Sequence, residues 1–338
     1  MLLGPVRFPA HPIKLGMFTR VAIRSARAVA SGYFRGERAA ALFAGAAAHS
    51  ILPLEWLGTS AYGLMLSGSA HVAGWPVARG GSQHLAEALA SYFKRLGGEI
   101  RVAAPVRNID ELSNPGAIVC DLTPRQMIAI AGHRLPSGYL QKLERFRYGP
   151  GVFKLDWALS GPIPWRAAEC GRAGTIHIGG TFEEMAESEA ACWRGEHTEK
   201  PFVLLVQPSI FDPTRAPAGK HTAWAYCHVP NGSTVDRTEA IERQVERFAP
   251  GFKELILARH AMNSADMENH NPNLIGGDIT GGAQTLAQMV FRPILFPSPY
   301  VTPVKNLYIC SASTPPGGGV HGMCGFHAAQ EVLKRKGD

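Results

Sequence analysis

The chain has 338 residues, 46% of them hydrophobic, with a formal net charge of +7 and a pI near 9.2. That length and apolar content can bury a large core and allow two domains, which excludes a disordered chain. The basic balance favours anionic partners such as phosphate-bearing cofactors, acidic substrates or an anionic membrane surface, but Lys and Arg are scattered without a basic block, so no nucleic acid is expected.

Arg7, Lys14, Arg20, Arg24, Arg27 and Arg35 all precede the first acidic residue, Glu37. A mitochondrial transit signal reads this way, and so does an internal helical segment with a basic face over Val21 to Ala30. The second reading is adopted, which makes the expected location cytoplasmic and the mitochondrial matrix the alternative. Ala39 to Leu54 is apolar but is broken by His49 and Pro53 short of the ~20 residues that a membrane span needs. A soluble protein is expected, with peripheral membrane contact left open.

Further along, Leu85, Leu89, Tyr92, Phe93 and Leu96 recur at helical spacing, and Gly97 with Gly98 supplies a left-handed stop. EIRVAAPV, Glu99 to Val106, then reads as a strand. AIVCD, Ala117 to Asp121, reads as another, leading to Thr123 and Pro124 as N-cap and first residue of a helix. This alternation indicates an α/β layer. From Tyr148 to His228 the runs GVFKLDWALS, GTIHIGG, PFVLLVQPS and HTAWAYCHV read as strands of a second sheet, with a helix from Asp236 to Phe248 over one face. The first pattern returns at LYICSA, a strand followed by PPGGG and a helix from near Gly322.

A strand, a glycine-rich loop and a helix N-terminus together present backbone N–H groups and the positive end of a helix dipole to an anion. Gly317, Gly318 and Gly319 would permit its close approach. The six cysteines, Cys120, Cys170, Cys192, Cys227, Cys310 and Cys324, include no CxxC pair, so unpaired thiols in a reducing compartment are expected. His321, Cys324 and His327 have a spacing that suits one helix face, yet no further ligand cluster accompanies them and no metal is expected.

The motifs GWPVARGGSQHLAEAL (Gly74 to Leu89), DLTPRQ (Asp121 to Gln126), YGPGVFKLDWAL (Tyr148 to Leu159), GGDITGG (Gly276 to Gly282) and LYICSASTPPGGGVHGMCGFHAA (Leu307 to Ala329) jointly resemble the FAD-dependent oxidoreductases of the phytoene desaturase and amine oxidase superfamily, in its phytoene-dehydrogenase-like branch. The resemblance runs over essentially the whole chain. It implies an α/β fold: an FAD/NAD(P)-binding Rossmann-like layer into which an α+β substrate domain is inserted. Residues 79–135 and 291–338 would form the layer, residues 1–78 the helical part of the substrate domain and residues 136–290 its β-rich part. FAD is the implied cofactor. Pro316, Gly317, Gly318, Gly319, Val320 and Gly322 would lie at its flavin end, Arg79, Gly80 and Gly81 beside the flavin at the domain junction, and the backbone of Val106 near the adenine.

The family pattern opens with a strand, a GxGxxG turn and a helix; in these 338 residues that spacing occurs once, at Gly317 to Gly322 near the end of the chain, and not in an opening βαβ unit. The first βαβ unit of the layer is therefore expected to be absent: the chain is a fragment, or a separate N-terminal FAD-binding segment is its partner, or flavin binding has been lost. The expected activity is a flavin-dependent dehydrogenase or desaturase acting on a small apolar or amphipathic substrate, inactive alone if truncated. The alternative is a non-catalytic binding or regulatory protein derived from this fold. Ala61 to Trp75, apolar and glycine-rich, is expected to line the substrate pocket. No protein acid or base is assigned; His49, His71, His84 and His228 read as core or surface histidines, and Lys154 alone is weak evidence for a substrate contact.

Overall fold

The computed structural model describes residues 9–113, 116–295 and 298–336. Arg7 of the basic N-terminal run lies outside them. The chain opens with helices α1 (Pro12–Ala22), α2 (Ala26–Tyr33), α3 (Glu37–Ala47) and α4 (Thr59–Ala73). The helical segment expected over Val21 to Ala30 is broken in the middle, because Ser25 caps α2 by accepting from the Ala28 N–H at 3.1 Å. The buried hydroxyl of Ser60 fixes the same break, lying 2.7, 3.1 and 2.9 Å from the carbonyls of Val21, Ala22 and Arg24. Small residues set the packing distance here. A Cβ on Gly63 would lie 2.5 Å from the ring of Phe43, so α3 and α4 approach closely only with glycine at that site.

Helix α5 (Gln83–Arg95) ends at Gly97, whose φ of +86° is the left-handed stop read from the sequence. Its apolar stripe faces solvent: Leu89 is 72% and Leu96 69% exposed, and α5 has no buried residue. The strand expected over Glu99 to Val106 is not formed. Alternating apolar residues make a strand only beside a hydrogen-bonded neighbour; no described strand pairs with this segment, and Val102 is 84% exposed.

The α/β layer is present as strands β1 (Ile118–Cys120) and β7 (Leu307–Ile309), paired in parallel with Val119 opposite Tyr308. Helix α6 (Pro124–Ala131) starts as expected, with Thr123 at the N-cap position and Pro124 next, although the Thr123 side chain makes no cap bond. With α7 (Ser137–Glu144) it buries Met127, Ala131, Tyr139 and Leu143 against Ile109, Ile294, Leu307 and Ile309. One core thus joins residues far apart in sequence.

The second sheet is antiparallel, in the order β3-β4-β5-β2-β6, from β2 (Gly151–Leu159), β3 (Thr175–Ile178), β4 (Val203–Val206), β5 (His221–Val229) and β6 (Ile256–Met262). Four of these were legible as β-rich runs between loops. β6 was not, because its residues are mostly exposed and lack a buried face to mark a period of two. Phe153, Leu155, Trp157 and Leu159 of β2 and Ala223, Ala225, Cys227 and Val229 of β5 form one face. Helix α10 (Thr238–Phe248) closes that face with Ile241 and Val245. Helix α8 (Phe182–Arg194) joins sheet to helices, as Phe182, Met185 and Ala186 share a core with Ala26, Val29, Phe43 and Phe202. Short helices α9 (Pro208–Phe211), α11 (Ser264–His270) and α12 (Leu286–Val290) precede the C-terminal α13 (Met323–Lys336). Among the described residues no helix is long and apolar enough to cross a membrane.

Candidate functional site

The glycine loop between β7 and α13 is held from several sides. Tyr300 donates its hydroxyl to the Pro315 carbonyl at 2.8 Å, and the Cys324 thiol lies 3.5 Å from the carbonyls of both Thr314 and Gly317. Beneath it, GGDITGG folds around one buried carboxylate. Asp278 accepts from the Thr280 N–H and hydroxyl at 2.7 and 2.6 Å through one oxygen, and from the N–H groups of Gly149 and Gly282 at 2.7 and 3.0 Å through the other. Four donors satisfy it, which is what burial of a carboxylate requires. The turn so formed abuts the loop: Ser313 donates to Gly281 O at 2.6 Å, and a Cβ on Gly318 would meet the Thr280 carbonyl at 3.2 Å.

Gly317, Gly319 and Gly322 have φ of +99°, +146° and +63°, a region closed to most side chains. Gly317 is buried, while Gly318 to Gly322 are open to solvent and Val320 is 96% exposed. Helix α13 then begins, its first-turn amides without partners inside the helix. His321 caps one of them, its Nδ1 accepting from the Met323 N–H at 3.0 Å.

Beside the loop lies a cavity of about 360 Å³ lined by Pro316, Gly317, Gly318 and His321, by Ala61, Tyr62, Met65 and Leu66 of α4, and by Gln284, Met289 and Arg292. α4 thus reaches the glycine loop, as expected of Ala61 to Trp75. Its other side, with Gly63, Leu64, Ser67, Gly68 and His71, lines a separate apolar cavity of about 670 Å³ among α1, α2 and α3. Tyr62 hydrogen-bonds Gln284 and lies 3.2 Å from the Met289 sulfur. Burial raises its pKa well above the usual tyrosine value, so the hydroxyl stays protonated.

Of the residues singled out in sequence, Pro316, Gly317 and Gly318 line this cavity. Arg79, Gly80 and Gly81 do not. They sit against the turn after α9, where Asp212 accepts from the Gly80 N–H and the Arg215 guanidinium donates to the Gly80 carbonyl. Val106 is half-buried in the irregular segment after α5. Lys154 pairs with Asp156 and lies 5.9 Å from the Trp224 ring, outside the cavity lining. No group of three or more His, Cys, Asp or Glu among the described residues is placed to hold a metal ion. All six cysteines are free thiols.

Sequence reasoning missed Asp278, Tyr62, Gln284 and Arg292. A lone acidic residue in a glycine run was the available signal for Asp278, and for Tyr62 its place within Ala61 to Trp75, the stretch expected to line a pocket; Gln284 and Arg292 had none.

No protein-family model matches the chain. In sequence it is similar to the mouse pyridine nucleotide-disulfide oxidoreductase domain-containing protein 2, 36% identical over 152 residues, which is 41% of this chain and 26% of that protein. It is also similar to a lycopene-forming phytoene desaturase of a Paracoccus species, 24% identical over 73% of this chain and 52% of the desaturase. The chain thus spans about half or less of these relatives. In structure it is similar to an oxidoreductase from Methanosarcina mazei, with a TM-score of 0.58 and 13% identity over 97% of this chain and 71% of that one. Cyclohexylamine oxidase from Brevibacterium oxydans gives a TM-score of 0.52 and 13% identity over 94% and 68%. The chain is therefore related in sequence to phytoene desaturases and to the pyridine nucleotide-disulfide oxidoreductase domain-containing protein 2, and it shares the fold of amine oxidase-type oxidoreductases.

Proposed function

We propose that this chain is part of an FAD-dependent oxidoreductase of the dehydrogenase or desaturase kind, acting on a carbon of an apolar or amphipathic substrate. One observation carries the reading. An open glycine loop with left-handed backbone at Gly317, Gly319 and Gly322 leads into the N-terminus of α13 and walls a cavity whose opposite side is apolar. The fit is supported by the crowding around Gly317, where a Cβ would lie 2.8 Å from Arg292, and by an exposed loop face free of side chains at Gly318 and Gly319. Bound FAD would supply the redox chemistry, a hydride taken up or returned at its N5.

The residues of the chain do the rest. Pro316, Gly317, Gly318, Gly319, Val320 and Gly322 would hold the pyrimidine edge, with the first-turn amides of α13 directed at developing negative charge. Ala61, Met65, Leu66 and Met289 would exclude water and take the apolar body of the substrate. Arg79, Gly80 and Gly81 and the backbone of Val106 belong, on this reading, to the remaining cofactor contacts. Residues 79–135 and 291–338 form the cofactor layer, and residues 1–78 and 136–290 the substrate domain.

The reading also needs a partner. A segment carrying a dinucleotide-binding βαβ unit would cover the bare stripe of α5 and give Glu99 to Val106 a neighbour to pair with. The test is gel filtration of the purified chain with FAD, with and without such a segment, following visible absorbance. Co-elution of flavin with chain plus segment supports the proposal. Flavin that never co-elutes, with the segment bound, sinks it and leaves the non-catalytic reading.

A further inference from the structure

Arg292 follows α12 and is 2% exposed. Its guanidinium donates from Nη1 to Ala312 O at 2.9 Å and from Nη2 to Gly282 O at 3.1 Å, while Nε has no hydrogen-bond partner among the described residues. Two carbonyls satisfy donors without cancelling the charge. Among the described residues no carboxylate forms an ion pair with it; Asp278, the acid whose charge it feels, has both oxygens engaged by Gly149, Thr280 and Gly282. Burial lowers the Arg292 pKa, but a guanidinium remains protonated in proteins.

A buried guanidinium with no directly paired carboxylate is unfavourable; Asp278 offsets this one only without an ion pair, and the cavity wall that Arg292 helps to form has no acidic residue in it. Tyr62 and Gln284 are the neutral polar neighbours, and Ala61, Met65, Leu66 and Met289 supply apolar surface. We infer that this cavity takes an organic anion, with a negatively charged oxygen held beside Arg292 and an apolar body against α4 and Met289. The inference rests on the proposed function for its view of the cavity as the reactive site, and narrows the ligand class from apolar or amphipathic to anionic and amphipathic. A substrate carboxylate and the anionic pyrimidine edge of a reduced flavin share this chemistry.

The test uses benzoate and benzamide, which have nearly the same shape and differ in charge, titrated calorimetrically into the purified chain. Benzoate is expected to bind about tenfold more tightly than benzamide, a difference of about 1.4 kcal/mol. Arg292→Gln should bring the ratio close to one with benzamide affinity unchanged, and Arg292→Lys should keep the preference. Should Arg292→Gln fail to fold by near-UV circular dichroism, the wild-type ratio and Arg292→Lys still decide. Equal affinities in the wild type, no benzoate binding, or an undiminished preference in folded Arg292→Gln would overturn the inference. Repeating the titration with FAD and a βαβ segment present separates the carriers: displacement of benzoate assigns the anion to the flavin edge, and binding of both assigns it to a substrate carboxylate. FAD that does not bind with the segment present defeats the proposed function, while the benzoate ratio still stands or falls by itself.

Discussion

His49 Nε2 lies 2.8 Å from His177 Nε2, so the end of the α3 helical run and strand β3 are joined by two imidazoles sharing one hydrogen bond. One ring must donate and the other accept, so at least the accepting ring is neutral. Burial pushes the His49 pKa down to about 3, helped by His177 and His228, and burial alone pushes His177 down to about 4. Both folded values lie below the unfolded histidine value, so the unfolded chain binds more protons between them. Stability is then fully present above about pH 6.5 and is lost as pH falls toward 4. Unfolding stability in urea from pH 7 to pH 4 should decline by up to about 6 kcal/mol from this pair, about 3 kcal/mol for each ring, and His49→Leu with His177→Leu should flatten the decline. An equal slope in the double variant would assign the acid sensitivity elsewhere.

Gly318 tests the loop placement. Its added Cβ would be 3.2 Å from the Thr280 carbonyl, a contact that a few tenths of an ångström relieve, and its outer side is open. Gly318→Val should therefore cost about 1 kcal/mol or less of stability, yet place two methyl groups where the flavin edge is proposed to lie. In the chain joined with its βαβ segment, flavin absorbance per protein should fall several-fold. Undiminished flavin content would move the cofactor away from this loop.

The legible parts of this fold were those whose signal is local. β2, β3, β4 and β5 announced themselves as β-rich runs between loops, α5 by its repeat, and the loop by PPGGG. The strand predicted from Glu99 to Val106 failed because pairing is a property of two segments, and no described strand pairs with this one. The clasp around Asp278 escaped for a related reason: one donor is the Gly149 N–H, 129 positions away in sequence. Arg292 is the extreme case, since its meaning lies wholly in what surrounds it. A single arginine before a proline carries no trace of being buried without an ion pair.

A buried carboxylate–imidazole hydrogen bond lies between the second sheet and α8. Both oxygens of Glu189 on α8 are 2.8 Å from His228 Nδ1 on β5, with the two residues only 1% and 5% exposed. The contact ties the helix to the sheet. Removing one partner strands the other in a low-dielectric interior, so Glu189→Ala should cost about 3–5 kcal/mol. Replacing both by leucine removes the stranded group and should recover most of that loss. Urea unfolding of the single and double variants checks the order; a double variant no more stable than Glu189→Ala would show that packing and not charge sets the cost.

The bare stripe of α5 leads to the last expectation. Leu85, Leu89, Tyr92, Phe93 and Leu96 are between 48% and 72% exposed on one face of a helix that buries none of its residues. Burying a leucine side chain is worth about 1.5–3 kcal/mol, so several together favour association of this face with whatever apolar surface it meets. The purified chain should be colourless and self-associate with rising concentration, because this apolar face is open to solvent and a βαβ segment is proposed to complete the cofactor site. Leu85→Lys with Leu89→Lys should suppress that association while leaving the urea midpoint within about 0.5 kcal/mol of wild type, since exposed positions contribute little to the folded core. The same double variant should fail to take up the βαβ segment, and with it the flavin. Light scattering and co-elution read the two effects separately. A variant that stays monomeric yet still recruits segment and FAD would place the segment on another face, and a wild-type chain that holds one tightly bound FAD as a stable monomer would remove the need for the segment altogether.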